Sequence, residues 1–233
     1  MRNNVVKIAL FLILFAGVAV FSFAETIFIS SISFTRLYEQ FLSENSGRDL
    51  EGISYDTSIN YFPSNFPFGW YVKTTLGSNL SGTEWKGFSI TSADVYSSTD
   101  IRLSIGPSFV LRAGTKLLIP ISVGPIISNY REEVNSYYYD YYYEYYENNS
   151  FYEALNVGVL ADVGIVLNPI RRFAIKTGVS VNWDFLRWEK GFNASTAFRT
   201  INSGEFSPIE YNAFKISLYF GMGLCFDNSK VKN

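Results

Sequence analysis

The chain has 233 residues, and its 19 Lys and Arg against 21 Asp and Glu give a formal charge of −2, which excludes the basic profile of a nucleic-acid-binding protein. Charged residues form 17% of the chain and aromatic residues 18%, whereas about a quarter of an ordinary soluble domain is charged. The chain has no histidine, and its single cysteine, Cys225, excludes an intramolecular disulfide. This composition favours a membrane protein over a soluble one.

The N-terminus predicts export. Arg2 and Lys7 precede an apolar run over residues 8–21, and Ser22-Phe23-Ala24 follows. These are the basic, apolar and small-residue parts of a secretory signal peptide, with cleavage expected after Ala24. An uncleaved membrane anchor is the alternative, because the run is long enough to permit it. The predicted division is a signal peptide for Sec-type export over 1–24, a barrel domain over 25–226 and a short polar C-terminal tail over 227–233.

Eight stretches of the mature chain alternate between apolar residues and small or polar ones. A period of two indicates β-strands, because successive side chains of a strand point to opposite faces. The last stretch is the clearest, since every second residue from Phe214 to Phe226 is apolar. In chain order, the predicted strands are 26–38, 50–61, 68–77, 101–111, 117–130, 154–167, 173–186 and 212–226.

The connections between these strands alternate in length. Short turns follow the second, fourth and sixth strands, whereas long polar segments follow the first (44–52), third (78–99), fifth (the tyrosine-rich segment) and seventh (187–210). Outer-membrane barrels have even numbers of antiparallel strands, short periplasmic turns and long outside loops. The pattern therefore predicts an all-β fold: an eight-stranded antiparallel up-and-down transmembrane β-barrel with short periplasmic turns and long extracellular loops, in the bacterial outer membrane.

Two details of this prediction depend on single residues. Pro107, Pro120 and Pro125 fall inside the fourth and fifth strands, and we expect bulges there because proline cannot donate to the ladder. Arg36 falls on the predicted lipid face and must lie near an interface, where a charge costs less than at the midplane. Aromatic residues near the strand ends are expected to form girdles, on the turn side at Tyr61, Phe68, Trp70, Phe173 and Phe226 and on the loop side at Trp183, Phe185, Tyr211 and Phe214.

A soluble, lipocalin-like barrel is the alternative fold, and it would bury the apolar face and expose the other to water. The second face of these strands is mostly Gly, Ser, Ala and Asn, with scattered charges, rather than Lys and Glu. Small residues suit the crowded interior of an eight-stranded barrel. The residues therefore favour the membrane barrel.

The mature chain resembles the small eight-stranded outer-membrane barrels: the membrane domain of OmpA, OmpX and OmpW. The segment 60–77, NYFPSNFPFGWYVKTTLG, together with the tyrosine-rich segment, also resembles small barrels of spirochaetes such as Treponema. The resemblance implies an outer membrane of the Gram-negative type, with lipid as the surrounding partner. It implies that the barrel-assembly machinery recognises the C-terminal strand ending at Phe226, and that the protein is a monomer without nucleic-acid partner or cofactor.

Seven charged residues are predicted to face the lumen, and two interpretations of them stay open. In the first they pair into a ladder that plugs the lumen, because isolated buried ions are costly, and in the second they line a path for small polar solutes. Four basic against three acidic groups predict no strong ion selectivity. The seven residues are Asp56, Lys73, Arg102, Asp162, Lys176, Asp184 and Lys215.

The tyrosine-rich segment is the second candidate site. Tyrosine offers a large, rigid, amphipathic contact area, so the segment predicts a surface-loop binding patch for a host or envelope protein. The alternative is a hairpin extension of two strands, with the tyrosines packed together or lying at the lipid headgroups. The patch comprises Tyr137, Tyr138, Tyr139, Asp140, Tyr141, Tyr142, Tyr143, Glu144, Tyr145 and Tyr146.

The absence of histidine bears most directly on function. Enzymes built on comparable outer-membrane barrels rely on histidine as a general base or as the partner of one. General-base chemistry near neutral pH most often uses histidine. No catalytic residue and no Cys/His metal site are predicted. The sequence predicts a non-enzymatic barrel with a structural or adhesive role. The alternative is a narrow channel or an OmpW-like transporter of small hydrophobic or polar solutes.

Overall fold

The computed structural model describes residues 24–63, 66–86, 89–93, 97–114, 116–139, 145–170, 172–196 and 199–226. Ten strands and one short 3₁₀ helix, Leu42–Glu44, occupy these ranges. No helix within them is long and apolar enough to cross a membrane. The strands are β1 (Ala24–Phe41), β2 (Ser46–Pro63), β3 (Phe68–Lys86), β4 (Ser89–Ala93), β5 (Ser97–Ala113), β6 (Leu117–Tyr139), β7 (Tyr145–Ile170), β8 (Phe173–Thr196), β9 (Arg199–Ile209) and β10 (Tyr211–Phe226).

Eight of these strands form a closed ring. The antiparallel order is β1-β2-β3-β5-β6-β7-β8-β10, and β10 pairs with both β8 and β1, so the ring has no open edge. The two remaining strands lie at the loop side, where β4 pairs with β3 and β9 pairs with β8. The predicted eight-stranded antiparallel barrel is confirmed.

The outward face of the ring is apolar. Phe34 is 70% exposed, Trp70 61% and Phe220 58%, while the residues on both sides of Phe34 and Phe220 in sequence are buried. A water-soluble barrel would show the reverse pattern, because exposing such side chains to water is unfavourable. The apolar band therefore faces lipid, as the alternation predicts.

The strands extend further toward the loop side than the sequence predicts. The polar loop expected over residues 44–52 is wrong: the connection is only Leu42–Asn45, with Asn45 in the left-handed region (φ 48°), and β2 begins at Ser46. The polar residues that suggest a loop are part of β2, and Ser46 and Arg48 are buried inside the barrel. Polarity marks a loop in water, whereas here it marks an inward-facing strand position.

The expected bulges at the prolines are also wrong. The β5–β6 register is the same on both sides of them, because Ser104 pairs with Ile126 and Ser108 with Ser122. Residues 105–107 of β5 have no paired residue on β6, but neither strand contains the extra residue that defines a bulge. A Cβ on Gly106 would lie only 2.3 Å from the Val123 carbonyl oxygen, so the two backbones approach closely there. Among the described strands of the ring, register shifts occur instead between β2 and β3 and between β7 and β8.

The structure separates the predicted loop-side aromatic residues between the lumen and the outer surface. Tyr211, predicted in the loop-side girdle, instead points into the lumen and is 3% exposed, because odd-numbered residues of β10 face inward. Trp183 and Phe214 do lie outside, with stacked rings 6.1 Å apart. Arg36 lies on the outward face, five residues before the loop-side end of β1, and pairs with Asp49 at 2.5 Å, which partly neutralises its charge.

Candidate functional site: the barrel lumen

The turn side of the lumen is filled by apolar side chains. Phe62 and Ile27 are fully buried there, and Leu118 and Val110 are 2–3% exposed. Only the edge of this cluster is charged, where Arg112 donates to Glu25 at 2.6 Å. The cluster is called the turn-side plug below and consists of Ile27, Ile29, Phe62, Val110, Leu118, Val166, Ala174 and Cys225.

Above the plug, four charged residues form a first ionic layer. Lys73 Nζ lies 3.1 Å from Asp162 Oδ2 and 3.6 Å from Asp56 Oδ2, and Lys176 Nζ lies 3.0 Å from Asp162 Oδ1. Both ammonium groups lie over the Tyr219 ring, at 4.7 and 5.0 Å from its centre. Two positive charges meet two negative ones, so the layer is balanced without an ion from outside.

A second ionic layer brings together β5, β8 and β10. Asp100 Oδ2 accepts from Arg102 Nε and from Lys215 Nζ, each at 2.7 Å. Arg102 Nη1 donates to Asp184 Oδ2 at 2.9 Å. This layer is also balanced, with two cations and two carboxylates, all at most 2% exposed.

The loop side of the lumen is closed by a charged and aromatic network, called the loop-side lattice. Glu39 lies at its centre and accepts from Arg48 Nε on one side (2.8 Å) and from Arg187 Nη1 on the other (2.7 Å). Each arginine also binds a second carboxylate, Glu132 for Arg48 and Glu189 for Arg187, both at 2.8 Å.

Three tyrosines complete the lattice. Tyr211 donates to Glu39 at 2.6 Å, Tyr130 donates to Glu132 at 2.7 Å, and Tyr152 donates to Glu189. The guanidinium groups also lie over aromatic rings, with Arg187 4.4 Å from the centre of the Tyr211 ring. Each carboxylate thus has both an arginine and a tyrosine donor. Charge-assisted bonds of this kind are among the strongest that a buried site can make.

The structure places all seven predicted lumen residues inside the barrel, each at most 4% exposed. They divide between the two ionic layers, with Asp56, Lys73, Asp162 and Lys176 in the first and Arg102, Asp184 and Lys215 in the second. Asp100, which completes the second layer, is absent from the prediction because the predicted strand begins one residue after it.

Sequence reasoning also misses the whole loop-side lattice. Glu39, Arg48, Glu132 and Glu189 lie beyond the predicted strand ends, among residues read as loop. Arg187 is hard to predict for a second reason. Phe185 is an extra residue at which the register of β7 and β8 shifts. The inward-facing residues of β8 are therefore even-numbered before Phe185 and odd-numbered after it. A signal is present nonetheless: Glu39 and Arg48 continue the inward phase of their own strands.

The predicted binding patch lies mostly outside the described residues. Residues 140–144, which include Asp140 and Glu144, are outside them, and so are all side chains of the patch. The backbone of β6 and β7 is described up to Tyr139 and from Tyr145, and these two residues pair with each other. The two strands therefore continue as a hairpin beyond the barrel.

The lumen contains one contact that resembles a catalytic pair. Lys73 Nζ lies 3.2 Å from Ser180 Oγ. A lysine that activates serine must be neutral and reachable by substrate, whereas Lys73 is 4% exposed and ion-paired to Asp162. Among the described residues, no group of three acidic or thiol side chains is placed to hold a metal. The Lys73–Ser180 contact therefore lacks the features of a catalytic pair.

No protein-family model matches the chain, and no curated protein matches its sequence. Solved structures do match. A major outer membrane protein from Thermus thermophilus is 10% identical, over 84% of this chain and 99% of that one, with a TM-score of 0.48. Neisserial surface protein A is 10% identical, over 85% and 98%, at 0.45. The attachment invasion locus protein Ail of Yersinia pestis is 10% identical, over 88% and 99%, at 0.41. Likeness at this level concerns the fold alone.

The outer and inner surfaces of the barrel indicate that it lies in a membrane. A closed ring with an apolar outer band and buried charges inside is stable in a bilayer, because every backbone group of the ring can pair within the ring. Bacterial outer membranes hold barrels of this kind. The protein is therefore a small bacterial outer-membrane β-barrel, whereas the resemblance to spirochaete barrels stays an expectation.

Proposed function

We propose that the protein is a closed, non-enzymatic outer-membrane barrel that acts through its outer loops, in a structural or adhesive role. The supporting observation is the filled lumen. The turn-side plug, two balanced ionic layers and the loop-side lattice follow one another along the barrel, and their side chains are nearly inaccessible to solvent. An eight-stranded barrel is just wide enough for side chains to fill it.

A filled lumen leaves the loops as the part that can meet a partner. The lattice binds the strand ends from which the loops emerge, since Glu39, Glu132 and Arg187 come from β1, β6 and β8. A rigid rim lowers the entropy lost when a loop is ordered by a partner. The tyrosine-rich segment 137–146 is the loop whose composition best suits protein contact.

Conductance in planar lipid bilayers tests the closed lumen. The wild-type barrel should show no steady channel, and Arg102→Glu should leave that baseline unchanged. The double variant Glu39→Ala with Phe62→Ala weakens both the loop-side lattice and the turn-side plug, and it is the positive control for an opened lumen. Steady wild-type conductance that responds to Arg102→Glu would instead establish the narrow channel.

Surface display tests the role of the loops. The barrel is expressed in an outer-membrane host that does not adhere, and adhesion to immobilised host-matrix proteins is measured. Replacing the tyrosines of segment 137–146 by serine should reduce adhesion, while the same number of serine replacements within 78–99 should not. Equal adhesion by cells with and without the barrel would leave only the structural role.

A further inference from the structure

Lys215 has more donors than its neighbours use. Its ammonium group carries three N–H donors, is 1% exposed, and makes one described hydrogen bond, to Asp100 Oδ2 at 2.7 Å. Lys73 is different, because three protein oxygens surround it: Asp162 Oδ2, Ser180 Oγ and Asp56 Oδ2, at 3.1, 3.2 and 3.6 Å. Lys215 therefore has bonding capacity that no described group fills.

Several buried oxygens of neighbouring strands and of the second ionic layer have no described donor. Asn182 is the cross-strand neighbour of Lys215 on β8, and Thr35 is the neighbour of Ser217, the next inward residue of β10. These oxygens share two properties: each belongs to a side chain at most 4% exposed, and each accepts no hydrogen bond from a described group. They are Thr35 Oγ1, Ser54 Oγ, Asp100 Oδ1, Asn182 Oδ1 and Asp184 Oδ1.

Gly77 marks where these groups converge. A Cβ on Gly77 would lie 2.9 Å from Ser54 Oγ, 3.3 Å from Lys215 Nζ and 3.6 Å from Asp100 Cβ. The bare glycine thus keeps a side chain out of the space between β2, β5 and β10. At Gly77 the spare donors of Lys215 therefore meet the side chains of Ser54 and Asp100, each of which has an oxygen without a described donor. A buried polar group without a partner is unfavourable.

We propose that this point is a hydration site, at which ordered water molecules link the Lys215 ammonium group to the surrounding oxygens. The charges of the second ionic layer disfavour an ion at this point. A cation would be repelled by Arg102 and Lys215, and an anion would be repelled by Asp100 and Asp184. A neutral molecule avoids both conflicts. Water accepts from Lys215 and donates to two oxygens, and buried water typically makes about three such bonds.

The site explains why the second layer is stable without direct pairing of all its atoms. Asp100 uses one oxygen in its ion pairs with Arg102 and Lys215 and leaves the other for water. The bridging water also joins β10 to β2 and β8 across the lumen, where no described side-chain hydrogen bond at this level does so. The inference is independent of the loop role, because it concerns only the barrel interior.

Solid-state NMR of the barrel in lipid bilayers tests the proposal. With lysine labelled at ¹⁵Nζ, polarisation is transferred from water, and the two signals are assigned with Lys215→Met and Lys73→Met variants. Lys215 should show a water cross-peak that Lys73 lacks. Equal transfer to both lysines, or none to Lys215, would overturn the proposal.

Two further variants separate hydration from general loosening of the barrel. Ser54→Ala with Asn182→Leu removes two acceptors and should abolish the Lys215 cross-peak, while Ser58→Ala, also buried on β2, should leave it unchanged. If the double variant fails the heat-modifiability gel shift of a folded barrel, Ser54→Ala alone should weaken the cross-peak. A crystal structure showing density too large for water at Gly77 would contradict the ligand assignment.

Discussion

Side chains fill both ends of the lumen, but they are apolar at the turn side and mostly charged at the loop side. The turn-side plug is apolar, and its residues need only shape and volume. The loop-side lattice buries five charges and three tyrosine hydroxyls, and each must find a partner in a fixed direction. The plug therefore tolerates substitutions that keep its volume, whereas the lattice depends on every member, because a buried charge without its partner is costly.

The largest effect is expected at the centre of the lattice. Glu39→Leu leaves both Arg48 and Arg187 short of a partner, and breaking one buried pair typically costs 3–5 kcal/mol, so a loss of about 5 kcal/mol in the free energy of unfolding is expected. Urea unfolding in lipid vesicles, followed by tryptophan fluorescence, measures it. Glu51→Leu is the control, because Glu51 is exposed and lies 3.9 Å from Arg36. Similar losses in the two variants would contradict a dominant role for the lattice.

A cavity in the plug should cost somewhat less. Leu118→Ala removes a buried side chain that is 3% exposed, and we expect a loss of about 3 kcal/mol that does not depend on salt. The same unfolding experiment at low and high salt measures both parts of this prediction. Leu111→Ala, at a lipid-facing position that is 48% exposed, should cost less. A larger loss for Leu111→Ala would mean that lipid contact outweighs the plug.

Single hydroxyl groups distinguish charged from neutral hydrogen bonding inside the barrel. Tyr211→Phe removes a bond to the Glu39 carboxylate and should cost about 2 kcal/mol, in the range for bonds to charged groups. Tyr71→Phe removes a bond to the Ser104 hydroxyl and should cost about 1 kcal/mol. Unfolding of both variants in parallel tests the ranking, and the reverse order would show that the lattice does not gain from its charges.

The smallest effect is expected on the outer surface. Arg36→Gln breaks an exposed pair with Asp49 and should cost at most about 1 kcal/mol, with the difference vanishing at high salt. Arg48→Gln, inside the lattice, should cost more and should keep its effect at high salt. Unfolding at two salt concentrations separates the two. A salt-sensitive loss at Arg48 would show that water reaches the lattice.

The two ends of the lumen also differ in how clearly the sequence predicts them. At the turn side, apolar residues occupy both phases of a strand, as in Ile27-Phe28-Ile29, Leu117-Leu118-Ile119 and Leu224-Cys225-Phe226. Such continuous runs are typical of strands buried on both faces, so the plug can be read from the sequence. At the loop side, the inward residues are polar, and the same reasoning that finds loops in soluble proteins ended the strands too early.

The sequence by itself determined the number of barrel strands, their order and the face that meets lipid, because a period of two and alternating connection lengths are local properties of the chain. It also determined which charges in the strand centres point inward. The tertiary structure decided which charges meet: Glu39 and Arg187 are 148 positions apart, and Arg48 and Glu132 are 84 apart. Ring closure and the register shift at Phe185 bring these residues together, and neither the stagger of the ring nor the position of a shift follows from local alternation.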